Sequence, residues 1–302
     1  MTDHASTAAA GSAAGPVATA TLTRPSRHYA GYVFDLDGTL YLGDHLLPGA
    51  AETVAAIRAA GGRVAFLTNK PLELPAAYAA KLTELGIPAR PEEVVSSTDA
   101  LLRYLAREAA GTTILPIAET VVVDLLRAAG FPVLDPAIDD PTRADVVVVS
   151  WDRTFDYARL LAAFRAVRAG ARIVATNPDP FCPTPDGDLP DCAAMLAAIE
   201  ASTGGRAEAI VGKPSPHMAA ALLDRLALPA DDTILVGDRL LTDVRMAHEA
   251  GMASALVLTG ATRLEALVDA PVTPDYVLRG VADVLPPPHA APDPSPPSQE
   301  TP

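Results

Sequence analysis

The chain has little cysteine, little positive charge and no long apolar run, and each shortage removes a class of protein. Two cysteines among 302 residues, Cys182 and Cys192, are too few for a disulfide scaffold or a four-ligand zinc site. No apolar stretch approaches the roughly 18 residues of a membrane-spanning helix. Twenty-three basic residues against 37 acidic ones leave a net charge of −14. Non-specific binding to nucleic acid or an anionic membrane requires a basic surface that displaces counterions, so neither is an expected partner. The N-terminus lacks a basic segment ahead of an apolar run, hence no secretion signal is read there. A reducing cytoplasm is the simplest location. What is present, 49% apolar and 20% charged residues, suits a globular protein of about two domains at roughly 100 to 200 residues each.

The low-complexity stretches lie at the ends. Residues 1–27 are Ala, Gly, Ser and Thr without a periodic apolar face, and read as a disordered leader. Residues 286–302 hold eight of the 29 prolines and read as a disordered Pro-rich tail. Between them, short β-branched runs alternate with Ala/Leu-rich helical stretches, the pattern of a parallel sheet with crossover helices. Strands are expected at Tyr32–Phe34, Arg63–Leu67, Thr233–Val236 and Ser254–Leu258, and helices at Pro48–Ala60, Pro75–Leu85 and Thr242–Ala250. Residues 100–206 repeat the alternation by themselves, with helices at Ala100–Ala110, Thr120–Ala129 and Phe155–Ala169 and strands at Thr113–Leu115, Asp145–Ser150 and Arg172–Ala175. They read as a second α/β domain inserted between two halves of a first, residues 28–99 and 207–285.

Directly after the first strand comes Asp35-Leu36-Asp37-Gly38-Thr39-Leu40. Two carboxylates two residues apart at a strand's end can divide labour, one as nucleophile or metal ligand and the other as acid/base. Gly38 permits the tight turn this requires. A D-x-D pair also opens an EF-hand calcium loop. Counted from Asp35, however, that loop needs Gly at position 6 and Glu at position 12, where the chain has Leu40 and Leu46.

Tyr32-Val33-Phe34-Asp35-Leu36-Asp37-Gly38-Thr39-Leu40 resembles the first motif of the haloacid dehalogenase-like (HAD) hydrolases, and three further motifs follow in order. Val64–Asn69 resembles the second, a strand ending in a hydroxyl residue. Lys213, in Val211-Gly212-Lys213-Pro214, matches the third. Gly237-Asp238-Arg239-Leu240-Leu241-Thr242-Asp243 has the G-D-x-x-x-T-D spacing of the fourth, and its two acids suit a hard cation that takes oxygen ligands.

The resemblance implies roles. Asp35 would attack phosphorus, and Asp37 would protonate the leaving oxygen and then activate water. Mg²⁺ would sit among Asp35, the Asp37 backbone carbonyl, Asp238 and Asp243, while Thr68, the Asn69 amide and Lys213 would hold the phosphoryl oxygens. An acid at position 37 separates the chain from the dehalogenases and the ion-pumping ATPases of the superfamily and points to phosphate esters.

The interval from Asp37 to Thr68 is just filled by one helix and a strand, whereas the 145 residues from Thr68 to Lys213 far exceed one βα unit. The cap therefore enters between the second and third motifs, which disfavours the phosphoglucomutase-like arrangement. A Rossmann-like parallel-sheet HAD core with an inserted α/β class 2 cap is similar to subfamily IIA. That group includes NagD-like, p-nitrophenyl-phosphatase-like, phosphoglycolate phosphatase-like and pyridoxal phosphate phosphatase-like members.

In that group the loop after the late cap strand selects substrate. Here it runs Asn177-Pro178-Asp179-Pro180-Phe181-Cys182-Pro183-Thr184-Pro185, with four prolines in nine residues to stiffen it. Asn177 and Asp179 are candidates to bond sugar hydroxyls. Phe181 would pack on a carbon face or simply anchor the loop. One departure is Lys70 after Asn69, where the group commonly has a second Asn; it would meet substrate or be solvated.

The expected protein is thus a Mg²⁺-dependent phosphatase of a small phosphorylated metabolite, a sugar phosphate first. Phosphoglycolate, pyridoxal phosphate or a nucleotide monophosphate are alternatives, and a homodimer is the assembly left open. A non-catalytic HAD-like metabolite-binding regulatory protein is the competing class, although such proteins usually lose one of the acids that are all present here. His45, His217, His248 and Trp151 need no catalytic role.

Overall fold

In the computed structural model, which describes residues 21–182 and 187–287, the first strand, β1 (Gly31–Asp35), is buried at all five positions. Burial on both faces is what an uninterrupted apolar run means in the centre of a parallel sheet. A small hairpin follows, β2 (Tyr41–Leu42) and β3 (His45–Leu46), and then α1 (Ala50–Ala59), β4 (Arg63–Thr68), α2 (Pro75–Glu84) and β5 (Val94–Ser96). Next come α3 (Ser97–Glu108), β6 (Ile114–Ile117), α4 (Thr120–Ala128), β7 (Val146–Val149), α5 (Tyr157–Arg168) and β8 (Arg172–Ala175). The hairpin β9 (Phe181–Cys182) and β10 (Leu189–Pro190), α6 (Cys192–Thr203) and β11 (Ala207–Ile210) complete the insertion. The chain then closes with α7 (Pro216–Leu226), β12 (Thr233–Gly237), α8 (Arg245–Glu249), β13 (Ala253–Val257) and β14 (Tyr276–Leu278).

Local chemistry sets several of these boundaries. Ser96 and Asp99 form a reciprocal capping box at the start of α3. Asp156 and Asp191 cap α5 and α6, and Ser215 caps α7 ahead of Pro216 in its first turn.

Two parallel sheets result. The core sheet runs β14-β13-β12-β1-β4-β5 and the cap sheet β11-β8-β7-β6. After β1 the chain moves to β4 on one side and later returns to β12 on the other. Such a reversal opens a crevice at the strands' carboxyl ends, where open α/β sheets bind ligands. One apolar cluster joins Val33, Ala65 and Leu67 of the core sheet to Val146, Val148 and Val174 of the cap sheet through Leu101, Tyr104 and Leu105 of α3.

The expected divisions shift in three places. Helix α3 packs against α7 and β5 of the core, so the cap sheet starts at β6 and not at residue 100. Strand β11, expected in the second core segment, pairs with β8 in the cap sheet; its Ala-Glu-Ala-Ile sequence carries no apolar run that would announce it. Residues 21–27, the end of the expected leader, are held against the core, Thr23 and Arg24 beside the edge strand β14 and Arg27 by Asp232. Thr23 donates to the Val277 carbonyl at 2.9 Å and accepts from Val277 N at 3.0 Å, and Arg24 pairs with Asp283 at 3.2 Å. An edge strand such as β14 leaves backbone groups open to such pairing. The leader before residue 21 and the tail from residue 288 lie outside the described residues. Among the described residues no helix is long and apolar enough to cross a membrane.

Candidate active site

Three core strands deliver the motif residues to one edge. Asp35 ends β1, Thr68 ends β4, and Asp238 directly follows Gly237 at the end of β12. Lys213 comes from the turn between β11 and α7. Its Nζ bridges Asp35 Oδ1 and Asp243 Oδ1, the latter at 2.7 Å, and the lysine is only 3% exposed. Carboxylate oxygens of Asp35, Asp238 and Asp243 all lie within 4.8 Å of one another, and all three residues are buried.

The fourth motif reaches this geometry by a local irregularity. The expected helix over Thr242–Ala250 begins as a π-helical turn, Leu240–Val244, before α8. The wider turn lets the Asp243 carboxylate fold back so that Oδ2 accepts the Arg239 amide at 3.1 Å while Oδ1 meets Lys213; π-turns often occur where function requires such a departure. Glycine makes the room beside Asp238. A Cβ on Gly260 would lie 2.0 Å from Asp238 Oδ2, and Gly38, at φ +83°, would place one 2.6 Å from the same oxygen. That oxygen accepts the Ala261 amide at 2.6 Å. Nothing in the sequence marks the Gly260-Ala261 turn, since a backbone donor has no sequence signature.

Electrostatics follow from crowding like charges in a dry place. Burial first, and then the Asp243 and Asp238 charges, push the Asp35 carboxyl well above the usual carboxylate range, against the pull of Lys213. Burial and Asp243 lift Asp238 to about 6, opposed by the Ala261 amide and Arg239. Burial alone would lower Lys213, but Asp243 and Asp35 together hold it above its ordinary value. With all groups ionised, three carboxylates and one ammonium leave two uncompensated negative charges. Hard oxygen donors, a negative surplus and glycine-made space fit a small divalent cation, and no thiol or imidazole is among them to favour a softer metal.

Asp37 stands apart from this cluster. Its carboxylate faces the cleft and pairs with Lys70 Nζ at 3.0 Å, so Lys70, of open role in the sequence, meets the expected acid/base. Burial would lower the Lys70 ammonium, while Asp37 and the neighbouring Cys182 keep it raised. Thr68 is buried and its hydroxyl accepts the Lys70 amide at 3.1 Å. The Asn69 side chain is engaged with Lys213: Oδ1 accepts Lys213 N at 2.7 Å and Nδ2 donates to the Lys213 carbonyl at 3.2 Å.

Above these residues the core and cap enclose a cleft of about 840 Å³. Asp35, Lys213, Asp238 and Arg239 line its floor, Leu42 and His45 one lip, and Asp179, Phe181, Cys182 and Asp191 the cap side. Of the three expected substrate-selecting residues, the structure separates one. Asn177 is fully buried, and its amide goes to Asp179 at 3.0 Å and Asp191 at 3.2 Å, so it supports the loop from behind. Asp179 and Phe181 line the cleft, Phe181 being 43% exposed. Residues 183–186, including Pro183, Thr184 and Pro185 of that loop, lie outside the described residues. Trp151 is buried in the cap core, and His217 stacks edge-on against Tyr104, away from the cleft.

The chain is similar to several known proteins. Residues 32–132 match the haloacid dehalogenase-like hydrolase family and residues 210–284 the HAD-hydrolase-like family. The sugar-phosphatase AraL of Bacillus subtilis is 36% identical over 255 residues, covering 84% of this chain and 92% of that protein. The acid sugar phosphatase of Staphylococcus haemolyticus is 34% identical over 250 residues, 83% of this chain and 93% of that protein. Among solved structures, the 4-nitrophenylphosphatase from Thermotoga maritima superposes with a TM-score of 0.78 at 33% identity, covering 84% of this chain and 95% of that one.

Proposed function

The chain belongs to the haloacid dehalogenase-like hydrolases, subfamily IIA, as a phosphatase of phosphomonoesters, and on that premise we propose that it hydrolyses small sugar phosphates with Mg²⁺ through a phosphorylated Asp35. The observation that carries this reading is the buried cluster of Asp35, Lys213, Asp243 and Asp238 at the floor of a cleft with Asp37 on its wall. The substrate class is supported by the names of the sugar phosphatases that the chain resembles over most of its length.

In the first step an Asp35 carboxylate oxygen bonds to phosphorus as the bond to the sugar oxygen breaks, and the Asp37 carboxyl gives that oxygen its proton. In the second, Asp37 takes a proton from water, the water oxygen attacks phosphorus, and the bond to Asp35 breaks to release phosphate. Lys213, the Thr68 hydroxyl and the Asn69 backbone amide are the donors to the equatorial oxygens, where transition-state charge is spread. When bound by Asp35, the Asp37 carbonyl, Asp238 and Asp243, Mg²⁺ supplies the positive charge that lets a phosphate dianion approach three carboxylates.

Release of inorganic phosphate from a panel of sugar phosphates, phosphoglycolate, pyridoxal phosphate and nucleotide monophosphates, with and without EDTA, tests the reading. Sugar phosphates should be hydrolysed fastest, with activity lost in EDTA and restored by excess Mg²⁺. Undiminished activity in EDTA, or a preference for a nucleotide, would overturn the corresponding part.

A further inference from the structure

Asp179 belongs to the cap, four residues past the end of β8, yet its carboxylate serves the core. Oδ2 accepts the Asn69 amide at 2.8 Å as well as that of Asn177 at 3.0 Å, and Oδ1 faces the Arg239 guanidinium at 3.6 Å. Asn69 in turn grips both backbone polar groups of Lys213, whose Nζ bridges Asp35 and Asp243. Arg239, for its part, sends its own amide to Asp243 Oδ2. One cap carboxylate is therefore a single contact away from the residue that holds Lys213 and from the turn that carries Asp238 and Asp243.

We propose that Asp179 is a positioning residue that couples the cap loop to the phosphate-binding lysine, so that Lys213 and Arg239 are in register when the loop is seated on the core. The inference rests on the phosphatase reading of the same site. It also changes the role expected of Asp179, from reading the substrate to setting the machinery beneath it. Asp179 is 9% exposed, and its removal leaves the half-buried Asn69 amide without one of its two acceptors and Arg239 without its cap partner, a loss that costs most where water does not replace the carboxylate. The Asn69 side chain then keeps only its two bonds to the Lys213 backbone, and its clamp on Lys213 is no longer tied to the cap. A displacement near 1 Å at a reacting centre can cost on the order of 10²-fold in rate.

A substrate reader and a positioning residue leave different signatures. Loss of a reader alters the ranking of substrates. Loss of a positioning residue slows every substrate alike, because all share the phosphoryl group.

The test measures kcat and KM of the full chain for p-nitrophenyl phosphate and for a hexose phosphate, with inhibition by inorganic phosphate, in wild type, Asp179→Ala, Asp179→Asn, Asn69→Ala and the Asp179→Ala/Asn69→Ala double variant. Asp179→Ala should lower kcat by roughly 10- to 100-fold on both substrates by the same factor and weaken phosphate inhibition. The double variant should be no more than about 2-fold worse than the poorer single one, since both break the same link. Asp179→Asn keeps an acceptor for Asn69 but not the charge facing Arg239, so it should fall between wild type and Asp179→Ala, and it serves if the alanine variant does not fold. A changed substrate ratio with phosphate inhibition intact, or fully multiplicative losses in the double variant, would overturn the coupling. Wild type inactive on every phosphomonoester would instead overturn the phosphatase reading, so the two failures are distinguishable.

Discussion

Both sheets carry polar residues at the carboxyl ends of parallel strands, but the two edges use them in opposite ways. In the core, Asp35, Asp238 and Asp243 are crowded together, Lys213 bridges two of them, and the three carboxylates outnumber it. In the cap, Thr176, Asn177 and Asp179 are consumed by one another and their neighbours. The Thr176 hydroxyl bonds Ser150 and the Asn177 carbonyl oxygen, and Asn177 bonds Asp179 and Asp191. A buried polar network whose members satisfy each other gives shape, whereas a buried surplus of one charge is poised for a cation or a substrate. Strand-end polar residues thus point to a cleft, and only their partners tell which of them do chemistry.

The sharpest way to break this contrast is Asp35→Asn. If the core edge holds the nucleophile, hydrolysis of every phosphomonoester should fall by about 10⁴-fold or more, with the circular dichroism spectrum unchanged; retention of a few percent of wild-type activity would remove Asp35 from that role. A smaller effect, and one confined to the cap, is expected of Phe181→Ala. Phe181 presents 43% of its surface at the cleft wall, and removing one apolar contact should change the ratio of kcat/KM between a sugar phosphate and p-nitrophenyl phosphate by about 10-fold. An equal change in both would mean that the cap wall does not discriminate.

The smallest effect should come from a cap pair that does not line the cleft. Arg153 reaches Glu119 through Nε at 2.5 Å and Nη2 at 2.7 Å, with the arginine more than half exposed. Hydrogen bonds from Arg153 hold the Glu119 carboxyl below its ordinary value, against burial. Because the folded value is the lower one, the pair adds stability above the unfolded value of 4.5 and loses it as pH falls through the folded value. Glu119→Gln should therefore cost under about 1 kcal/mol at pH 7, given solvent screening, with catalysis unchanged. The difference in melting temperature from wild type should close under acid conditions, and a difference that widened there would contradict the pairing.

Much of the core site was legible in the chain because its residues sit in short fixed spacings at strand ends. Asp35 and Asp37 flank one turn, and Asp238 and Asp243 flank another. The central strands β1 and β4 were legible because burial on both faces demands continuous apolar runs. The edge strands β5, β11 and β14 were not, since three or four residues with one partner carry too little pattern to stand out. The link between Lys70 and Asp37 and the clamp of Asn69 on Lys213 were equally hidden. The first joins residues 33 apart in the chain and the second residues 144 apart, and nothing local marks either.

By itself, then, the sequence determined the chemistry available: the acids, the lysine, their order along the chain and the place where a second domain enters. Those features are written in local spacing and in the periodicity of buried faces. The tertiary structure decided which polar groups remain unspent. Asn177 and Asp179 share the sequence standing of site residues. Asn177 is withdrawn behind the loop and Asp179 is bound to the core, because a side chain's role depends on the donors and acceptors that folding brings to it from distant segments.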